Sequence, residues 1–217
     1  MPIFEAIKIF MRLFICTFFL FFTYNTSPAQ TKIAVKGGAT FSTARVYAGS
    51  EKQDTKINAG YGMGILFKVP FEGVLHFSPW VAYNRRGYEY TPKTGSISHY
   101  KNAIHYIDMV PALSVDFCLG KNSLVISAGP HVSVAVGGTE KTSTGNTTSS
   151  HKMKFSTSSN FSLVDLGLAG SIGYHIKKFF VEAGFQPGLA NINNNVETDM
   201  RNIRNRMISL QVGYFIR

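Results

Sequence analysis

Seven ionisable side chains, Lys36, Lys68, Arg86, Asp108, Asp116, Asp165 and Glu182, fall on the polar side of segments whose alternate residues are apolar. Three cations and four carboxylates facing a shared interior have two uses. They relay ions or protons, or they form salt bridges that close the space. The second is expected, because charges withdrawn from water are costly unless paired and hydrogen-bonded, and both signs are present. His131 and Ser133 are the other pair with chemical reach, since a base two residues from a hydroxyl on one strand face could activate it as a nucleophile. The remaining histidines, His76, His99, His105, His151 and His175, have no metal-ligand spacing. The sequence carries no phosphate loop, nucleotide fingerprint or paired-carboxylate hydrolase motif. No cofactor, metal site or catalytic residue is therefore expected.

The elements that must position these residues are short alternating segments. Eight strands are predicted: Lys32 to Phe41, Ala59 to Val69, Val74 to Tyr88, Ile104 to Leu119, Leu124 to Val136, Leu163 to Ile176, Phe179 to Leu189, and a last one through Ile208, Leu210, Val212, Tyr214 and Ile216. Tight turns at Pro70-Phe71-Glu72-Gly73, Gly120-Lys121-Asn122 and Lys177-Lys178 alternate with long polar loops. Strands of about ten residues with every second side chain apolar, in even number, with long and short connections in alternation, predict an all-β fold. The architecture is an eight-stranded antiparallel transmembrane β-barrel of up-and-down topology.

A water-soluble barrel has the same period with its apolar face inward. Two features favour lipid outside. The second face collects Gly, Ser, Asn and charges rather than dense Lys and Glu, and the chain ends Tyr214-Phe215-Ile216-Arg217. On this reading Ile65 and Leu168 face lipid, and Ser at the neighbouring inward Gly64 or Gly167 should be much milder than a charge at Ile65 or Leu168. The Ser-, Thr- and Lys-rich stretch from Gly138 to Asn160 reads as a solvated loop.

The first thirty residues give the address. Lys8 and Arg12 precede an apolar run from Leu13 to Phe22, and Ser27-Pro28-Ala29 supplies small residues for a signal peptidase. Residues 1–29 are expected to be a cleaved signal peptide, and residues 30–217 one outer-membrane barrel domain of a Gram-negative bacterium. Losing Glu5, Lys8 and Arg12 with the leader lowers the formal charge by one from +10. The cations are scattered, with no basic run, which argues against nucleic acid. Arg85, Lys101, Lys152, Lys154, Arg201 and Arg204 instead suit contacts with lipid phosphates. Cys118 is the single cysteine after the leader, which excludes an internal disulfide there.

Five segments taken in order carry a family resemblance. They are Lys36-Gly37-Gly38-Ala39-Thr40-Phe41-Ser42, Tyr106-Ile107-Asp108-Met109-Val110-Pro111, Gly129-Pro130-His131-Val132-Ser133, Asp165-Leu166-Gly167-Leu168-Ala169-Gly170, and Glu182 to Ile192. Together they resemble the outer-membrane β-barrel domain family of Bacteroidota, labelled PorT-like. The resemblance implies an eight-stranded outer-membrane barrel and no single activity. Its label derives from a member needed for protein secretion. A structural or interaction role follows as the expectation, as an accessory to an envelope or secretion complex, with outer-membrane lipid and envelope proteins as partners and no small-molecule ligand identified. A small channel and a lipid A modifying enzyme are the alternatives. His131-Val132-Ser133 resembles the His-x-Ser pair of a lipid A deacylase, but alternation turns both side chains into the lumen, away from an acyl chain.

Overall fold

The computed structural model describes residues 31–48, 51–91, 99–145, 147–155, 161–194 and 201–217. The expected signal peptide, residues 1–29, lies outside the described residues.

Every described strand is antiparallel to its neighbours in one sheet that closes on itself. The barrel strands are β1 (Lys32–Ala48), β2 (Thr55–Glu72), β3 (Leu75–Phe77, Trp80–Arg86 and Tyr88–Tyr90), β4 (His99–Val110 and Leu113–Leu119), β5 (Asn122–Thr144), β6 (Val164–Ile176), β7 (Phe179–Pro187) and β8 (Arg201–Phe215). Each pairs with the next, and β1 closes the ring against β8, from Ala34↔Phe215 to Ala48↔Arg201. This is the eight-stranded up-and-down barrel the alternation predicts. Pro79 and Pro111 lie in the gaps that divide β3 and β4, where a residue without an N–H cannot serve the ladder. Gly73, Gly120 and Lys177 take positive φ in the short turns, which leave too little chain for other conformations.

Burial separates the two faces. Outward residues such as Ile65, Val81, Met109, Ile126, Leu166, Leu168, Ile172, Val181, Leu210 and Val212 are exposed, while Lys36, Lys68, Arg86, Asp108 and Asp165 are buried. Solubility in water demands the reverse, so the water-soluble alternative is excluded. Aromatic side chains edge the apolar band. Phe71, Phe117, Tyr174, Phe179 and Tyr214 stand at the short-turn end, and Phe41, Tyr61, Tyr83 and Phe185 stand toward the other, as interfacial girdles do.

Several strands outrun their predicted limits. β1 continues from Phe41 to Ala48, β2 begins at Thr55, and Pro70 lies within β2, so the turn is Gly73-Val74. The largest correction concerns the stretch read as a solvated loop. β5 runs on to Thr144, and Thr147–Lys152 folds back on it, from Thr147↔Thr144 to Lys152↔Thr139. Thr favours extended backbone, but above the lipid no face need be apolar, so the period that marks a strand disappears. Residues 156–160 of that stretch lie outside the described residues.

Candidate functional site: a filled, charged lumen

Luminal side chains form three layers. At the short-turn end, β2 and β4 bring Lys68 to Asp116, with Nζ 2.6 and 2.5 Å from its two carboxylate oxygens. His76 Nδ1 lies 3.7 Å from the same carboxylate and 3.1 Å from the Val74 carbonyl oxygen. Above them Phe180, Phe215, Leu66 and Ala34 pack together, with Trp80 against the group and the His175 ring 5.0 Å from Phe180. Gly213 makes this plug possible, since a Cβ there would stand 2.1 Å from Phe180 Cζ.

In the next layer β1 and β7 join Lys36 to Glu182 at 2.7 Å, and the ammonium lies 4.3 Å from the Trp80 ring centroid. A desolvated cation over an aromatic face gains from the ring quadrupole as well as from its carboxylate. Beside this pair is a cavity of about 20 Å³ whose lining includes Ser127, Ser171, Ser209 and Gln211. That volume and polarity suit one or two waters.

Arg86 on β3 occupies the middle. Its Nη2 donates to Asp108 Oδ2 at 2.5 Å and to Gln186 Oε1 at 2.7 Å, and Nη1 donates to Ser133 Oγ at 3.3 Å. Asp165 is 3.7 Å away. Asn84 donates to Asp108, and Asn205 donates to Asp165 and to the Tyr106 hydroxyl. The Arg86 guanidinium also lies 5.1 Å from the Tyr106 ring centroid. Asp108 and Asp165 are 0% exposed, so each relies on these contacts instead of water.

All seven charges singled out from the sequence therefore lie in ion-pair range of an opposite charge, in three groups set by strand pairing. The sequence does not reveal the neutral partners. Asn84, Gln186 and Asn205 are buried and hold the carboxylates and the guanidinium. Their signal was an amide on an inward position, too common to stand out. The inward glycines also differ from expectation. A Cβ on Gly167 would meet Pro187 O at 2.2 Å and His131 Cε1 at 2.5 Å, and one on Gly64 would meet Val81 O at 2.5 Å. These are close-packing positions, where Ser meets backbone oxygen, so the expectation that Ser is much milder than a lipid-face charge does not hold there.

His131 and Ser133 do not act together. His131 Nδ1 lies 3.0 Å from the Leu168 carbonyl oxygen, while Ser133 Oγ serves Arg86. Both are buried, at 1% and 0% exposure, on the luminal side of β5. Among the described residues no three His, Cys, Asp or Glu side chains gather to hold a metal ion.

Above the central layer an apolar cluster fills the long-loop end. Tyr88, Tyr90, Tyr100, Tyr106, Ile104, Val46 and Ile203 meet Phe161 and Ile192, which the long connections send inward. Tyr90 and Tyr100 pack at 5.0 Å between ring centroids, and Arg201 donates to the Tyr90 hydroxyl. Outside this cluster Glu89 pairs with Lys101, whose hydrogen bond holds the carboxyl below its usual range.

A closed antiparallel barrel with an apolar exterior and charged, side-chain-filled interior defines an integral outer-membrane β-barrel. The chain belongs to the outer membrane protein beta-barrel domain family, whose model matches residues 23–194. Among solved structures it is similar to Neisserial surface protein A (17% identity, 84% of this chain and 96% of that one, TM-score 0.42). It is also similar to Ail of Yersinia pestis in complex with the heparin analogue sucrose octasulfate (15%, 86% and 99%, 0.42). OprG of Pseudomonas aeruginosa is a third (11%, 86% and 96%, 0.46). No curated protein matches the sequence.

Proposed function

We propose that this protein is a PorT-like outer-membrane barrel with a structural or interaction role, an accessory to an envelope or secretion complex, and neither a channel nor an enzyme. The observation that carries this reading is the lumen, filled from the Phe180 plug through the Arg86 cluster to the Tyr88 cluster. An eight-stranded barrel is just wide enough for side chains to fill. Fixed ion pairs across it rigidify a wall whose outer surface is then free for recognition.

The long-loop end supports an interaction role. β1 to β5 rise past the apolar band and end in the exposed strand Thr147–Lys152, whereas β6 starts at Val164 and β7 stops at Pro187. One side of the barrel thus presents a raised polar sheet. With long loops facing outward, that sheet lies on the cell surface, both chain ends of the barrel are periplasmic, and a signal peptide at residues 1–29 delivers the chain to a Gram-negative, Bacteroidota-type envelope.

The test is cross-linking in intact outer membranes, followed by purification, with lipid A from a deletion strain analysed in parallel. A reproducible envelope-protein partner, with lipid A unchanged, is expected. Altered lipid A acylation on deletion, reproduced by His131→Ala in a folded protein, would replace the interaction reading with an enzyme.

A further inference from the structure

The seam that closes the barrel contains an arrangement that the lumen does not explain. Along the outer face of β1 and β8 the register places Phe41 opposite Ile208, then Thr43 opposite Arg206, then Arg45 opposite Arg204. The first pair faces lipid, with Phe41 44% and Ile208 55% exposed. Inward neighbours Val46, Ile203 and Asn205 are buried, so alternation turns Arg45, Arg204 and Arg206 outward. Directly opposed side chains have Cβ atoms about 5 Å apart, and like charges there are destabilising. Arg45 and Arg204 are such a pair, and Arg206 stands next to them along the same face of β8.

Among the described residues, no ion pair joins any of the three to a carboxylate. Elsewhere on the rim the pattern differs. Register places Glu89 beside both Lys56 and Lys101, and Glu89 pairs with Lys101. The Arg85 guanidinium donates to the Ala59 carbonyl oxygen. Among the described residues, Arg45, Arg204 and Arg206 have no such carboxylate partner.

Height supplies the occupant. Two and four residues beyond the last apolar pair are about 7 and 13 Å along a strand at 3.3 Å per residue. With a tilt near 40° these become roughly 5 and 10 Å above the hydrocarbon edge. That is headgroup depth. A phosphate there accepts bidentate hydrogen bonds from guanidinium groups, which match its geometry better than ammonium groups do.

We propose that Arg45, Arg204 and Arg206 form a binding site for the phosphate of an outer-leaflet lipid at the β1–β8 seam, where the bound anion offsets the repulsion between the opposed arginines. Outer-leaflet placement rests on the outward orientation of the long loops proposed above.

The experiment is native mass spectrometry of the purified full-length protein in detergent, titrated with bisphosphorylated lipid A. The wild type is expected to hold one lipid at least about tenfold more tightly than the Arg45→Gln/Arg204→Gln double variant, the scale of losing charge-assisted hydrogen bonds. Lys141→Gln, farther up the wall, should bind like wild type. Fully dephosphorylated lipid A should not distinguish the variants, and inorganic phosphate should not displace the bound lipid. Equal binding by wild type and double variant, or an equal loss in Lys141→Gln, overturns the site. Displacement by inorganic phosphate overturns the lipid as occupant. Arg204→Gln alone, at an exposed position, repeats the test if the double variant loses its folded, heat-modifiable gel mobility. Orientation is read separately, by labelling of Cys118 in intact cells, so an inverted barrel that still binds lipid is distinguishable from a barrel without the site.

Discussion

At the scale of single residues, the Arg86 cluster ranks its members. Asp108 makes the short contact to Arg86, whereas Asp165 stands farther off and is held by Asn205. Asp108→Ala, which leaves the guanidinium without its nearest anion, should cost about 3–5 kcal/mol if the site stays dry. Asp165→Asn, which keeps a polar group beside Asn205, should cost less, about 1–3 kcal/mol. Urea unfolding in lipid vesicles measures both, and equal losses would refute the ranking. Glu89, above the lipid band, gives a pH dependence. Its folded pKa is depressed, first by the hydrogen bond from Lys101, so its contribution is present above the unfolded carboxylate pKa and is lost as pH falls through the folded value. Amide exchange across Tyr88–Tyr90 should be faster in Glu89→Gln than in wild type at pH 6, and the difference should vanish in strong acid. A difference that persists at pH 2 would contradict this.

At the scale of elements, strand β6 shows how the two faces carry different costs. Leu168→Arg places a charge in lipid and should cost about 2–4 kcal/mol. Gly167→Ser should also be clearly destabilising, because its side chain would collide with the Pro187 carbonyl and the His131 ring. A Gly167→Ser barrel as stable as wild type would show that this contact relaxes freely. The sequence made only half of this legible. Lipid enforces strict alternation, so Leu166, Leu168 and Ile172 mark the outer face. The tight approach at Gly167 depends on β5 and β7 meeting around it, which no local pattern records. Likewise Thr139–Thr144 and Thr147–Lys152 were invisible as strands because neither side of an extramembrane sheet needs to be apolar. Inward charges were legible as a set, but their partners were not, since Arg86 meets Gln186 and Asp165 only after the ring closes.

At the scale of the whole molecule, orientation and closure are the claims with functional weight. Cys118 is exposed near the Gly120 turn. A membrane-impermeant thiol reagent should leave it unmodified in intact cells and label it once the outer membrane is permeabilised, whereas a tag inserted after Gly145 should be reached from outside. The reverse pattern would invert the barrel. Closure matters more, because a filled lumen separates an interaction protein from a small channel. Its basis is continuous packing: the Lys68 and Phe180 layer, the Lys36–Glu182 pair, the Arg86 cluster and the tyrosine cluster succeed one another along the lumen, with a small polar cavity beside Lys36. Single-channel recording of the purified barrel in a planar bilayer tests this directly. The packing predicts no steady conductance above the bare membrane for the wild type. Regular open-channel steps from folded wild-type protein would contradict the closed lumen.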